Sequence, residues 1–344
     1  MSSPIDRYRK QTLFAGVGEE GQHRLARARV LIVGCGALGS VLAETAVRGG
    51  IGFVRLVDRD FVELTNLQRQ VLYDEDDVAA QFPKAVAAQR KLARINTTVT
   101  IEPVVADVDH TNILDLARDV DLILDGTDNF EIRFLINDAA LELGIPWVNG
   151  GCVGSHGQIM AIVPGRTPCL RCLMEGVPDP ASMETCDTAG VIAPAIQVVA
   201  SLQIVEALKI LTGQPVESAL TIVDVWDASL RRVKLGNLAE KTNCPACRGG
   251  ERRWLRGDAV SRSTALCGRN AVQVTPPTRL SLSLDDLAAR LSASGRVTRN
   301  PFLVRLDVTD PEFEITVFRD GRAIIKGTED LSVARSVYAR YIGT

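Results

Sequence analysis

The sequence predicts an α/β fold: a mainly parallel sheet with an antiparallel extension, followed by a small α+β domain at the carboxyl end. Three observations carry this. Short apolar strands alternate with helical stretches from residue 29 to residue 150, the rhythm of strand–helix–strand units. The first strand runs into Gly34, Gly36 and Gly39, spaced G-x-G-x-x-G, and the next ends on Asp58, a Rossmann-like arrangement. Past residue 248 a polar, Gly-bearing, basic stretch over 249–263 reads as a linker, and a separate pattern fills 264–344. The expected organisation is a main domain over 1–248, that linker, and the small domain.

In the main domain "RVLIVG" is the first strand, residues 38–48 a helix, and "FVRLVD" the second strand. "PKAVAAQRKLARI", residues 83–95, is a helix opening on Pro83, where a missing N–H costs little. "VTIEPVV" is the third strand, 111–118 a helix and "DLILDGT" the fourth strand; a helix over 130–143 leads into the fifth, "IPWVNGG". After residue 150, "GQIMAIV", "LTIVDVWD" and "LRRVKL" make the antiparallel extension, with a long helix over 194–211 among them. The small domain reads strand, helix, three strands, helix. "AVQVTPP" comes first, Ser283 caps the helix "SLDDLAARL", and "FLVRLDV" follows. "FEITVFRDGRAIIKG" then folds back at "RDG", and "DLSVARSVYARYIG" closes the chain.

The chain has 344 residues, 46% hydrophobic and 24% charged, enough apolar content to bury an ordinary core. A net charge of −3 argues against a nucleic-acid partner, which calls for a basic face. The start, "MSSPIDRYRKQ", lacks an apolar signal region, and Pro194, Gln197, Gln203, Glu206 and Lys209 interrupt the apolar stretch 190–213. That stretch is expected to be a buried helix, with no membrane partner and a cytoplasmic location.

The glycine spacing lets backbone N–H groups approach a phosphate at a helix N-terminus, and Asp58 would accept from ribose hydroxyls. The residues beyond Asp58 differ from those a dehydrogenase needs. "DRDFVELTNLQRQVLYDEDD" places Asn66, Leu67, Gln68, Arg69 and Gln70 in a loop; Lys84 opens the next helix beside Pro83. "LDGTDN" sets Asp128 and Asn129 just past the fourth strand, where α/β sheets bind ligands. Arg and Lys grip phosphoryl oxygens and a carboxylate holds Mg²⁺, so the constellation asks for a nucleoside triphosphate and a metal. His23, His110 and His156 lie outside these motifs, leaving a hydride chemistry without its usual proton donor.

Cys169 and Cys172 in "PCLRC" and Cys244 and Cys247 in "NCPAC" are two C-x-x-C pairs. Together they predict a Cys₄ zinc site that staples two distant segments and leaves no open position, hence a structural role. Cys35 and Cys152 adjoin Gly-rich strand ends and read as packing residues.

"RYRKQ", "VGCGALGS", "LVDRDFVELTNLQRQ", "FPK", "LDGTDN" and "PCLRC…CPAC" together resemble the ThiF/MoeB/HesA family, relatives of the ubiquitin-activating enzymes, over residues 5 to 248. The resemblance implies ATP- and Mg²⁺-dependent adenylation of the C-terminal Gly-Gly carboxylate of a ubiquitin-like sulfur carrier, in thiazole or molybdopterin biosynthesis. It implies that Gly34, Gly36, Ala37 and Gly39 form the nucleotide loop and Asp58 takes the ribose. Asn66, Leu67, Gln68, Arg69 and Lys84 would line the phosphates, and Asp128, beside Asn129, would be the catalytic, Mg²⁺-linked aspartate. The family's N-terminal arginine, which reaches the neighbouring subunit's ATP, is replaced here by Lys10, with Arg7 and Arg9 close by. Lysine keeps the charge and loses the bidentate geometry. A homodimer follows from a finger acting in trans. Cys186 in "TCDTAGV" matches a cysteine that relatives link covalently to the carrier, and a sulfur-donor enzyme is a further implied partner.

The alternatives are a tRNA threonylcarbamoyladenosine dehydratase of related fold, disfavoured by the acidic balance and the zinc cysteines, and an NAD-dependent oxidoreductase, supported only by the glycine loop and Asp58. A non-catalytic zinc-stapled scaffold leaves Arg69, Lys84 and Asp128 unexplained.

Overall fold

The computed structural model describes residues 6–177, 189–259, 263–266, 270–276 and 280–343, and the chain divides into two compact units, Met1–Ala259 and Val260–Thr344. The first unit opens with a 3₁₀ turn at Asp6–Tyr8, a single helical turn at Arg9–Thr12 and helix α1 (Gly18–Arg27). The order then runs β1 (Arg29–Val33), α2 (Ala37–Gly49), β2 (Phe53–Asp58), α3 (Glu75–Ala79), α4 (Lys84–Ile95), β3 (Thr100–Val105), α5 (Ile113–Ala117) and β4 (Leu122–Asp125). It continues through α6 (Phe130–Leu143), β5 (Trp147–Val153), β6 (His156–Ile162), α7 (Ala193–Thr212), β7 (Ala219–Asp224) and β8 (Ser229–Lys234).

These strands form one sheet in the order β3-β2-β1-β4-β5-β6-β7-β8. The first five pair in parallel, and the last three join antiparallel, as the sequence predicts. The central strands β1 and β4 are apolar apart from Arg29 at the start of one and Asp125 at the end of the other, because both faces are covered there. Val30 and Ile32 of β1 face one core with Leu42 of α2, Leu92 of α4 and Val199 and Ile204 of α7. Leu31 and Val33 point to the opposite core, with Ile113 of α5 and Phe134 and Leu135 of α6. Strand order reverses between β1 and β4, so the loops leaving these two strands open a crevice at their carboxyl ends.

Local chemistry sets the helix ends near that crevice. Asn129 caps α6, its Oδ1 accepting from Glu131 N at 2.8 Å, and Gly144 closes it at φ 69°. Helix α7 has the length and apolarity of a membrane span. In this fold Ala195, Ile196, Val199, Ala200, Gln203, Ile204 and Ala207 bury one side of it against the sheet.

The stretch expected as a linker packs within the first unit as far as Ala259. Trp254 is the reason: its ring stacks on Phe134 with centroids 4.4 Å apart, and its backbone N–H donates to Asp138 Oδ2 at 3.0 Å. One aromatic outweighs a polar, Gly-bearing composition.

The second unit contains β9 (Ser263–Leu266), β10 (Ala271–Val274), α8 (Leu284–Leu291), β11 (Arg296–Arg299), β12 (Leu303–Thr309), β13 (Glu312–Phe318), β14 (Ala323–Lys326) and α9 (Leu331–Tyr341). Its sheet, ordered β11-β12-β13-β14-β10-β9, is antiparallel throughout. Val272, Val304, Leu306, Ile315, Val317 and Ile325 share a core with Leu287 and Leu291 of α8 and Val337 and Tyr338 of α9. Ser283 caps α8, its Oγ accepting from Asp286 N at 3.3 Å, and Gly321 of "RDG" sits at φ 84°. The sequence expectation missed two strands, β9 and β11. Each spans four residues, and β11 has no buried position, so it carries no alternating apolar signal.

Candidate active site and metal centre

The glycine loop bridges β1 and α2. A Cβ on Gly39 would lie 1.8 Å from Gly34 O, and Gly34, at φ 87°, would place one 2.8 Å from Gly126 O. The β1 and β4 loops are thus in backbone contact. Gly36 is different: a Cβ there meets only Gln70 Nε2, at 3.9 Å. Internal packing explains Gly34 and Gly39, whereas Gly36 faces open space at the start of a helix, the cradle a phosphate needs. Ala37 is the first residue of α2. Gln70 is buried, and its Oε1 has no hydrogen-bond partner among the described residues. The amide atom nearest the cradle is the donor Nε2, which with the helix N-terminus fits an anionic ligand, as a triphosphate is.

Asp58 ends β2 with both oxygens engaged: Oδ2 accepts from Cys35 N at 2.6 Å and Oδ1 from Asp60 N at 2.7 Å. Burial raises its pKa, while the Lys84 ammonium pulls the other way. Lys84 is 3% exposed and extends Nζ to Asp60 Oδ2 at 3.3 Å; its backbone N–H donates to Asp60 O at 2.9 Å. Tyr73 Oη donates to Cys35 O at 2.7 Å, tying the 59–74 loop to the glycine loop. Asn66 is buried and accepts from Glu63 N at 3.1 Å, shaping that loop. Leu67 packs on the core, Gln68 is exposed, and half-buried Arg69 donates Nη1 to Thr65 O at 2.9 Å.

Asp128 is exposed on the loop between β4 and α6, next to the cap Asn129. Burial works against the Arg59 charge, but the carboxylates of Asp107, Asp60, Asp128 and Asp58 outweigh it and hold the guanidinium protonated. These acids, at the carboxyl ends of β2, β3 and β4, thus share one electrostatic neighbourhood. The loop is braced from below by Asp125, which is fully buried. Its Oδ1 accepts from Thr127 N at 2.9 Å and Thr127 Oγ1 at 2.7 Å, and its Oδ2 from Arg133 Nε at 3.0 Å. Burial raises the Asp125 pKa, against the attraction of Arg133.

The sequence motifs do not single out Arg59, Asp60, Asp125 or Arg133. Their signal is present: "DRD" continues the second strand, and Asp125 ends the fourth, three residues before Asp128. Of the N-terminal cations, Arg7 donates Nη1 to Ile95 O at 2.7 Å, and Lys10 is exposed on the Arg9–Thr12 turn, just before the exposed Leu13 and Phe14. Cys186 lies outside the described residues.

Cys169, Cys172, Cys244 and Cys247 converge, their sulfurs within 4.8 Å of one another. Cys169–Cys244 is 3.7 Å, Cys172–Cys169 3.9 Å and Cys172–Cys247 3.6 Å. These separations exceed the ~2.05 Å of a disulfide. They match the edge of about 3.8 Å of a tetrahedron with Zn–S bonds of ~2.3 Å. Four sulfurs in this arrangement are compatible with a zinc ion. Cys35 is buried and Cys152 packs at the core margin.

The ThiF family model matches residues 8–246. The sulfur carrier protein ThiS adenylyltransferase of Bacillus subtilis is 44% identical over 338 residues, 98% of this chain and 99% of that protein. A sulfur carrier protein adenylyltransferase of Thermus thermophilus is 39% identical over 250 residues, 71% of this chain and 90% of that protein. Among solved structures, E. coli MccB with MccA-N7isoASN superposes with a TM-score of 0.62 at 23% identity, covering 72% of this chain and 75% of that one, a likeness of fold. With a family model across most of the first unit and a curated relative aligned end to end, the chain belongs to the ThiF family.

Proposed function

We propose that this chain uses ATP to adenylate the C-terminal Gly-Gly carboxylate of a ubiquitin-like sulfur carrier, releasing pyrophosphate. The observation that carries the chemistry is the open cradle at Gly36, bordered by buried Gln70 and, through the Cys35 backbone, by Asp58. The relatives favour the carrier: the B. subtilis protein, named for ThiS, matches through the second unit as well. We accordingly read the pathway as thiazole rather than molybdopterin synthesis, and the work as cytoplasmic.

In this reading the N–H groups of the Gly34–Gly39 loop hold the phosphates and Asp58 takes the ribose. Asn66, Leu67, Gln68, Arg69 and Lys84 line the triphosphate, with Lys84 supplying a buried positive charge. Asp128, with Asn129 beside it, offers oxygen donors suited to Mg²⁺, which when bound offsets charge on the leaving pyrophosphate. A carrier carboxylate oxygen attacks the α-phosphorus in line, and the bond to the pyrophosphate oxygen breaks. Positioning and charge stabilisation supply most of the rate, since no side chain needs to form a bond. Lys10 would reach the ATP of a partner subunit in a homodimer. Cys186 and a sulfur-donor enzyme would act after adenylation, and Cys169, Cys172, Cys244 and Cys247 would hold a structural zinc ion.

ATP–pyrophosphate exchange, with a carrier ending in Gly-Gly and with the same carrier lacking its last glycine, tests the reading. Exchange is expected only with the intact carrier. Asp128→Ala should lower it at least 100-fold at an unchanged melting temperature, because that side chain is exposed. Absence of exchange with every Gly-Gly carrier offered rejects the proposal.

A further inference from the structure

Gln203 is a polar side chain in an apolar core. It lies on the sheet-facing side of α7 and is fully buried between Val199, Ala200, Ile204 and Ala207 of its own helix. A leucine would fill that space without the desolvation of an amide. Two features show where the amide is directed. Its Nε2 donates to Asp125 O at 2.9 Å and to Val148 O at 3.3 Å. A Cβ on Gly150 would fall 2.3 to 2.4 Å from the amide atoms, so β5 carries glycine there to admit them.

The placement coincides with a change in the sheet. The β4–β5 ladder pairs Ile123 with Trp147 and Leu124 with Val148, and ends there. Beyond it β4 becomes the loop bearing Asp128. The Gln203 amide stands at this point of divergence and donates to one carbonyl from each strand. The Asp125 residue so held also accepts from Gly150 N at 3.3 Å, from Thr127 and from Arg133, whose Nη2 donates to Thr127 O at 2.8 Å. The other amide atom, Oε1, is buried without a hydrogen-bond partner among the described residues. An acceptor left unsatisfied is a cost that packing alone would not select.

We infer that Gln203 is a positioning residue for adenylation: its Nε2 replaces the missing ladder donor between β4 and β5 and thereby fixes the loop that carries Asp128. Gln203 touches neither ATP nor carrier and acts through the Asp125 backbone. The inference rests on the adenylation reading for its kinetic test, but the ordering of the loop is measurable without it.

Two variants separate positioning from packing. Gln203→Met keeps the shape and removes both donors. It is expected to lower kcat for carrier-dependent exchange at least tenfold, with the ATP KM within twofold and the ATP-binding stoichiometry unchanged, because the glycine loop, Asp58 and Lys84 are untouched. Gln203→Glu keeps the shape and has a donor only when protonated. The charged groups around it are Asp125 on β4, Arg133 on α6 and the Glu206–Lys209 pair on α7 itself; on neighbouring α2, Glu44 and Arg48 pair with each other. Its exchange rate should therefore fall with rising pH along a limb that wild type and Gln203→Met both lack. Hydrogen–deuterium exchange of the 125–129 amides should rise in Gln203→Met, and in Gln203→Glu only at the high-pH end. Wild-type exchange that fails with every carrier rejects the adenylation reading, and the amide protection of 125–129 then still decides the inference. Kinetics and loop protection within twofold of wild type in Gln203→Met overturn it, and so does a Gln203→Glu pH profile superimposable on wild type. ATP-binding stoichiometry below half in both variants at low pH assigns Gln203 to packing and overturns it as well.

Discussion

A Cβ at Gly39 would sit 1.8 Å from a carbonyl oxygen, and no rotamer change moves a backbone oxygen out of the way. Gly39→Ala is therefore expected to yield unfolded or insoluble protein. At Gly36 the nearest atom to a new methyl is a side-chain nitrogen 3.9 Å away. Gly36→Ala should keep most of the melting temperature and raise the ATP KM tenfold or more, since the methyl occupies the phosphate's space. Thermal melts alongside ATP titrations separate the two, and equal thermal losses would refute the assignment. The G-x-G-x-x-G spacing made both glycines legible in the sequence, although not their different reasons. The places of Asp58 at the end of β2, Lys84 at the start of α4 and Asp128 on the loop past β4 were legible too, because periodicity locates those strands and that helix. Asp125, Arg133 and Gln203 were not. Their importance comes from burial and from partners distant in sequence, and neither leaves a periodic trace.

At the scale of elements, the two cysteine pairs show how short segments acquire a fixed place. Leu170–Leu173 is a single helical turn, and Leu238–Lys241 before the second pair is another. Neither is long enough to be stable by itself. Cys169, Cys172 and Cys244 nevertheless belong to the core beneath α6, with Ala246 and Trp254. A metal cross-link between positions 75 residues apart, as Cys169 and Cys244 are, removes unfolded-state entropy worth about 4 kcal/mol by the loop-closure relation. At roughly 3 °C per kcal/mol for a domain of this size, chelating the metal at neutral pH should lower the melting temperature by about 10 °C. Calorimetry with the zinc content measured before and after checks this; an unchanged melt after verified zinc loss would refute a stapling role. The same scale shows the limit of pattern reading. The helix read over 130–143 is α6 residue for residue, because an Asn cap and a Gly terminator bracket it. Strand β11 lies exposed at a sheet edge with arginine at both ends, where nothing distinguishes a strand from a loop.

For the whole molecule, the question is how much of the chain the reaction needs. Every residue placed around the crevice, and all four cysteines, lie in the first unit. The T. thermophilus relative matches 71% of this chain over 90% of its own length, so more than a quarter of this chain has no counterpart in that alignment. A chain ending at Ala259 is therefore expected to bind ATP and to support carrier-dependent exchange within about threefold of the full chain. The boundary matters. Ending instead at Arg248, where the sequence pattern places the linker, removes Trp254 from its stack on Phe134 and leaves Asp138 Oδ2 without the Trp254 and Leu255 N–H donors. Loss of a buried tryptophan costs ~3–5 kcal/mol, enough to lower the melting temperature by about 10 °C relative to the chain ending at Ala259. Melting and exchange measured side by side on the two truncations decide the point. Equal stabilities would mean that residues 249–259 do not belong to the first unit's core, and an inactive but folded chain ending at Ala259 would show that the second unit takes part in adenylation.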